Sequence, residues 1–393
     1  MLRRILRTVK THPRYVALKG ILDLPPRPGL RYTPRRALNL WLARMEMKTG
    51  RTSVWCRPSK LTVEATNICN LRCPACFTGI GDVGRARGHM SLDLYKQLIA
   101  ELGPTLMEVE FYNWGEPLLA KHIFEMIEEA SRRRIATTVS TNFSFPWDAA
   151  RAERIVTSGL GLLGVSIDGA RQESYEQYRR RGILATVLEN CRLVRDAKRR
   201  LGRSNPKMVW EFHVFPHNTD DIDLAKRLAD ELDMELCVSK GWLLGEEWDP
   251  ASRFQYFFNP VVEKCPFLWG QAIVQNDGGV APCCGTFYEH DDVGRLAADG
   301  AGGARRFRDV WNNEKFRASR RFFRSRTGTD EEKHLACYEC PMTKTWERYH
   351  VHRALGGAPE TFQVGYGTQD VFNFFWSRRP APAAEPRARR AAR

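Results

Sequence analysis

The sequence predicts an α/β protein, a partial (β/α)6 TIM-like barrel followed by a small C-terminal Cys-rich module. Three observations predict it. From residue 61 onward, short runs rich in β-branched and aromatic residues alternate six times with stretches of helical periodicity, the pattern of parallel strands joined by right-handed crossovers. Six such units are two short of a closed eight-stranded barrel, so the sheet leaves a side opening through which a large substrate can enter. After about residue 260 the rhythm gives way to short Gly-punctuated segments that carry cysteines, and 393 residues leave room for both parts, since one compact domain usually needs roughly 100 to 200.

Each element has a local cause. The expected strands are Leu61–Glu64, Met107–Tyr112, Ala136–Ser140, Leu163–Ile167, Met208–Val214 and Leu236–Val238, short runs bounded by turn residues. Between them the spacing predicts helices over Leu92–Leu102 behind a Ser91 cap, His122–Arg133, Asp148–Ser158 closed by Gly159, Ala185–Leu201 and Asp221–Glu231. Ahead of the barrel, Pro25, Pro26 and Pro28 break the chain, and Ala37–Lys48 reads as a helix closed by Gly50. Gln275–Cys284 reads as part of a small hairpin-containing unit, and Asn313–Arg324 as a helix before the last cysteine pair.

Composition excludes several classes. Hydrophobic residues make up 43% and charged residues 27%, an ordinary globular balance, and no apolar run approaches the roughly 18 residues of a membrane span. The basic N-terminus lacks the apolar core of a signal peptide, so a cytoplasmic protein is expected. The net charge of +15 invites a nucleic-acid reading, but residues 1–60 hold 15 Lys/Arg against 2 acids and residues 376–393 hold 6 against 1, leaving −3 for the stretch between. The basicity belongs to the ends, and no nucleic-acid partner is expected; a zinc-dependent nucleic-acid-binding protein is the distant alternative. Leu2, Ile5, Leu6 and Val9 share one helical face with Arg3, Arg4, Arg7 and Lys10 elsewhere, so residues 1–24 either pack on the protein or offer a peripheral contact to the inner face of a membrane. Phe362, Tyr366, Phe372, Phe374, Phe375 and Trp376 either pack the C-terminus on the barrel or join that contact. The expected organisation is a basic helical extension over 1–60, the barrel over 61–260, the cysteine-bearing module over 261–345, an aromatic segment over 346–376 and a disordered basic tail over 377–393.

Eleven cysteines in 393 residues are too dilute for a disulfide scaffold, and their clustering is ligand spacing. Cys69-Asn-Leu-Arg-Cys73-Pro-Ala-Cys76 is C-x3-C-x2-C directly after the first strand, on a loop at the end of the barrel where such enzymes place their chemistry. Three thiolates can hold three irons of a [4Fe–4S] cluster and leave the fourth open to a small chelating ligand. A structural zinc wants four closed ligands, and this segment offers three.

On these residues the sequence resembles the radical S-adenosylmethionine superfamily over roughly residues 61–345. The resemblance implies that the amino and carboxylate groups of S-adenosylmethionine chelate the open iron. It implies further that an electron from the cluster cleaves the sulfonium to a 5′-deoxyadenosyl radical, which abstracts a substrate hydrogen. Asn113-Trp114-Gly115-Glu116-Pro117 is similar to the family segment in which backbone and a carboxylate grip the methionine ammonium, with Trp114 in place of the first glycine. Ser140-Thr141-Asn142 and Ser166-Ile167-Asp168-Gly169 resemble segments that hydrogen-bond the ribose hydroxyls and the methionine carboxylate. Arg179 reads as a carboxylate partner or as a helix-surface residue. Ala75 stands where the family often has an aromatic residue, and Phe77 follows the third cysteine, so adenine packing is expected to differ in detail.

Cys265 and Cys283 flank Gly278 as C-x12-G-x4-C, and Cys337-Tyr-Glu-Cys340 follows. A zinc ribbon is one reading. The pattern also resembles the auxiliary iron–sulfur modules called SPASM and, when shortened, twitch. Adjacent cysteines rarely ligate one cluster, so Cys265, Cys283, Cys337 and Cys340 are the expected ligands of one auxiliary [4Fe–4S] cluster. Cys284 is left over, as a core thiol or as a thiol that returns a hydrogen atom to a substrate radical, and Cys56, Cys191 and Cys237 read as ordinary buried cysteines.

The resemblance implies an oxidoreductase-type enzyme that dehydrogenates a small sugar- or cyclitol-like or lipid-linked substrate, with the auxiliary cluster as electron acceptor and a flavodoxin or ferredoxin as reducing partner. A peptide-modifying maturase and a radical epimerase are the alternatives within the family.

Overall fold

The computed structural model describes residues 27–241, 254–261, 265–297, 306–325, 328–338, 340, 346–353 and 361–366. Six parallel strands follow one another in order: β1 Lys60–Val63, β2 Glu108–Phe111, β3 Ala136–Thr141, β4 Leu162–Ser166, β5 Lys207–Val214 and β6 Met234–Lys240. Their crossovers are helical over Leu92–Leu102, Ile123–Arg132, Ala149–Thr157, Leu184–Arg200 and Ile222–Glu231, with a further short helix at Gln172–Tyr178. Ser91 and Asp148 cap two of these by accepting from Leu94 N and Arg151 N, as their side chains are suited to do.

The sheet does not stop at six strands. β7 Phe254–Val261 leaves it, but β8 Gln271–Val274 returns to pair parallel with β1, register Lys60 to Gln271 and Val63 to Val274. The hairpin strand β9 Gly279–Ala281 and the short β10 Gly294–Arg295 extend that edge antiparallel, giving the order β10-β9-β8-β1-β2-β3-β4-β5-β6. The hairpin turns at Gly278, whose φ of 89° lies in the left-handed region and whose added Cβ would sit 2.3 Å from Leu296 O, so glycine is required there. The seventh parallel strand is too short to read by periodicity alone, and it is fixed by pairing with β1.

β7 instead forms a separate antiparallel sheet with β11 Trp346–Arg353 and β12 Thr361–Tyr366. Phe362 and Tyr366 of the expected aromatic segment therefore lie in a strand, and β11 joins β7 by pairing positions some 90 residues apart, such as Arg353 with Phe254, that no local pattern announces. Residues 1–24, the aromatics Phe372, Phe374, Phe375 and Trp376, and the tail 377–393 lie outside the described residues. Among the described residues no helix is long and apolar enough to cross a membrane.

Strand alternation divides the main sheet into two faces. Leu61, Val63, Val109, Phe111, Val139, Leu163, Val165, Trp210 and Phe212 are fully buried in the main core, on the face that receives the helices. The opposite, inner face carries Lys60, Thr62, Glu64, Glu108, Glu110, Thr138, Ser140, Gly164, Ser166, Glu211 and His213. An ordinary barrel fills its interior with branched apolar side chains; a polar one is built to take a ligand. At the other end of the strands, the helix Pro34–Thr49 is anchored by buried Arg36, which donates to the carbonyls of Arg134 at 2.7 Å, Arg133 at 3.1 Å and Gly103 at 3.2 Å.

Candidate active site

The loop after β1 carries the first cysteine set. Cys73 is buried and Cys69 and Cys76 are half-buried, packed together with Leu71, Ala75, Tyr178 and Phe215. Burial and then the nearby Glu116 push the Cys69 thiol up to about 12, and burial lifts Cys73 to about 11 against the pull of Arg179. Thiols that resist ionisation alone, and that oppose one another's charge, fit a cationic iron cluster that neutralises them on binding. Two side chains already face them: Asn142 Nδ2 lies 3.7 Å from Cys69 Sγ, and Arg179 Nη1 lies 4.0 Å from Cys73 Sγ. Among the described residues no three His, Cys, Asp or Glu side chains close on one point as they would around a single ion. A cubane cluster makes a different demand, one sulfur at each of several corners.

The strand ends around this loop hold the remaining expected residues. Gly115 brings its backbone against the loop that follows β1, so that a Cβ there would lie 1.9 Å from Thr66 O. Glu116 begins the turn at Pro117 and is turned inward: its carboxylate accepts from Thr141 Oγ1 at 2.6 Å, Asn142 N at 2.7 Å and Leu118 N at 3.1 Å. Burial nonetheless holds it at about 7. Asp168, fully buried at the end of β4, accepts from Arg179 Nε at 2.6 Å and His213 N at 2.8 Å, and pairs with His213 Nδ1 at 3.0 Å. Burial alone would raise its pKa, but Arg179 and then His213 outweigh it and hold the carboxyl at about 2. Arg179 therefore sits between Asp168 and Cys73 rather than on an exposed helix surface.

Three expected contacts are engaged elsewhere. The hydroxyls of Ser140 and Ser166 both donate to Glu211 Oε2, at 2.7 and 3.1 Å, while Gly164 leaves the space Oε1 occupies; a Cβ there would lie 2.4 Å from it. Phe77 stacks on Phe287 at 5.1 Å and meets Trp114 edge-on at 4.9 Å, so it docks the cysteine loop onto the C-terminal segment. Arg85, bonded to Asp277 at 2.9 Å and Asp292 at 3.1 Å, and Trp114 Nε1, donating to Thr286 O at 2.9 Å, tie the same surfaces.

The second set gathers Cys265, Cys337 and Cys340, all buried in the main core, with Cys283 packed against it. Burial and then Cys337 and Cys340 push the Cys265 thiol well up, and burial with all its cysteine neighbours does the same to Cys283. No disulfide forms, so the donor set suits a thiolate-held group. Cys284 neighbours Cys283 and also lies near the inner face: after burial, the groups acting on its thiol are Glu110 and Lys60, which pair at 2.5 Å. Burial and then the same Glu110 and Cys284 push the Tyr112 hydroxyl well above its ordinary value. Cys56 and Cys191 are buried as expected, whereas Cys237 is only half-buried, beside Glu211 in register.

Sequence reasoning missed Glu64, Gln275, Glu211 and the Lys60–Glu110 pair. Their signal was present, because Lys60-Thr62-Glu64, Glu108-Glu110 and Glu211-His213 repeat polar residues at every second position of strands that should be buried on both faces.

Comparison with known proteins agrees with this geometry. The sequence model of the Radical SAM superfamily matches residues 63–228, and that of an iron–sulfur cluster-binding domain, SPASM, matches residues 265–341. Pre-heme d1 synthase of Dinoroseobacter shibae is 25% identical over 168 residues, 42% of this chain and 39% of that protein. GTP 3′,8-cyclase of Mycobacterium marinum is 30% identical over 135 residues, 33% of this chain and 36% of that protein. The chain thus spans well under half the length of these curated relatives. The structure of Streptococcus suis SuiB bound to S-adenosylmethionine superposes with a TM-score of 0.51 at 12% identity, covering 86% of this chain and 84% of that one, a likeness of fold.

Proposed function

Because the chain belongs to the radical SAM superfamily and carries a SPASM iron–sulfur cluster-binding domain, we propose that it dehydrogenates a small polar substrate, sugar- or cyclitol-like or lipid-linked, held on the inner face of the barrel. The observation that carries this reading is the polar inner face of the sheet, which runs from Glu64 near Cys76 to the Lys60–Glu110 pair near Cys284. In this reading Cys69, Cys73 and Cys76 hold the radical cluster, and Cys265, Cys283, Cys337 and Cys340 hold one auxiliary cluster. With S-adenosylmethionine bound, these groups supply a 5′-deoxyadenosyl radical at one end and an electron acceptor at the other.

The chain's own residues do the positioning. Asn142 and Arg179 place donors on Cys69 and Cys73, lowering the charge of the thiolates they face. Asp168 fixes the Arg179 guanidinium, and Glu116 fixes Asn142 through its backbone N–H. Glu211, held by Ser140 and Ser166, and the Lys60–Glu110 pair offer acceptors and a donor to substrate hydroxyls. The reducing partner in this reading is a flavodoxin or ferredoxin.

The test is anaerobic purification and reconstitution, a count of iron and sulfide per chain, then dithionite and S-adenosylmethionine with assay of 5′-deoxyadenosine. About eight irons per chain with 5′-deoxyadenosine formed supports the reading. About four irons removes the auxiliary cluster and the dehydrogenase with it. A second reading, radical epimerisation, is favoured by Cys284, a thiol beyond the four expected cluster ligands that lies near Glu110 and Lys60. Cys284→Ala stalls an epimerase and spares a dehydrogenase.

A further inference from the structure

Gln275 directly follows β8, the strand that the C-terminal segment lends to the barrel. It lies on the inner face, two positions beyond Ile273 and four beyond Gln271, whose Nε2 donates to Thr62 Oγ1 at 2.8 Å. The side chain is completely buried. Its Oε1 accepts from Asn113 Nδ2 at 2.9 Å, and its backbone N–H and carbonyl are used in the hairpin turn, bonded to Gly279 O and Gly278 N. Its Nε2 has no partner. A buried amide donor left without an acceptor is costly, and proteins keep such groups where a ligand completes them.

The surroundings define the ligand. Asn113, which holds the other end of the amide, begins the Asn113–Pro117 loop, and Gly115 of that loop lies against Thr66, three residues before Cys69. Glu64 directly follows the neighbouring strand β1, with Trp114 N donating to its Oε1 at 3.2 Å and Asn276 N to its Oε2 at 3.4 Å. An acceptor brought to this spot meets an N–H donor beside a carboxylate, next to the cysteine loop. That is the environment of an α-amino acid zwitterion.

We propose that Gln275 Nε2 donates a hydrogen bond to the carboxylate of the methionine end of S-adenosylmethionine, so that the C-terminal segment contributes directly to the cofactor site of the barrel. The inference rests on the functional reading above, and it makes the second domain part of the first domain's binding site. Gln275 is then a binding residue, supplied by a strand that follows the whole barrel in sequence.

The experiment measures S-adenosylmethionine affinity of the anaerobically reconstituted full chain by equilibrium dialysis, alongside iron content and the visible spectrum. The wild type is compared with Gln275→Leu, which removes the donor, and Gln275→Glu, which keeps the shape and places a charge against the carboxylate. The expected result is unchanged iron and spectrum in both variants, with affinity about 10- to 100-fold weaker in Gln275→Leu and weaker still in Gln275→Glu. Equal affinity in all three proteins, or tighter binding by Gln275→Glu, overturns the proposal while the functional reading stands. Absence of S-adenosylmethionine binding by the iron-loaded wild type overturns that reading and the proposal together.

Discussion

Arg179 and Asp168 form an ion pair inside the chain, Nε to Oδ2 at 2.6 Å, with the carboxylate fully buried and the guanidinium only 14% exposed. The pair bridges the end of β4 and the helix Gln172–Tyr178, and it aims the second guanidinium nitrogen at Cys73. A buried pair of this kind adds little net stability when intact, yet removing one member strands the other's charge.

Asp168→Asn is therefore expected to destabilise the protein by roughly 3 to 5 kcal/mol, because Arg179 stays charged and buried. The pH dependence carries the sign. The Asp168 carboxyl is held at about 2 in the fold, below its ordinary value of about 3.9, so its contribution is present above about pH 4 and is lost as pH falls through about 2. Thermal unfolding followed by circular dichroism should show the wild-type midpoint falling across that window, with a shallower fall in Asp168→Asn. Equal slopes would mean the pair does not form.

Glu64 and Glu116 behave in the opposite sense. Burial raises both to about 7, above the ordinary value of about 4.3, so their contribution is present below about pH 4 and is lost as pH rises through about 7. Before cluster loading, the unfolding midpoint should drop between about pH 4 and about pH 7. Glu116→Gln cannot ionise and should drop less.

The two cysteine sets make separable predictions. Cys69→Ser should lower iron from about eight to about four per chain and abolish 5′-deoxyadenosine formation. Cys337→Ser should lower iron by a similar amount and leave reductive cleavage of S-adenosylmethionine in place. Iron analysis paired with chromatography of the nucleoside products reads both, and identical losses in the two variants would merge the sets into one.

Gly115→Ala tests the contact between the two loops. The added Cβ would lie 1.9 Å from Thr66 O and 2.8 Å from Asn67 Cα, backbone atoms that cannot swing aside, at a cost of roughly 1 to 3 kcal/mol. Because Thr66 and Asn67 lead into Cys69, iron incorporation should fall as well as the unfolding midpoint. A variant with full iron content would place the loops further apart than they are here.

What could be read from the sequence was whatever depends on neighbours along the chain. The six parallel strands and their helices follow from local periodicity, and Ser91, Asp148 and Gly50 mark helix ends through their own backbone chemistry. The C-x3-C-x2-C loop was legible because its ligands lie within eight residues. Tertiary structure alone decided what depends on distant partners. Pairing with β1 made Gln271–Val274 a seventh parallel strand and carried Gln275 to the barrel mouth. Antiparallel pairing joined Phe254–Val261 to Trp346–Arg353. The polar alternation of Lys60-Thr62-Glu64 and Glu211-His213 was visible in one dimension, but only the pairing of the strands set those residues on one face, since hydrogen bonds such as Ser140 and Ser166 to Glu211 span three strands and are set by register.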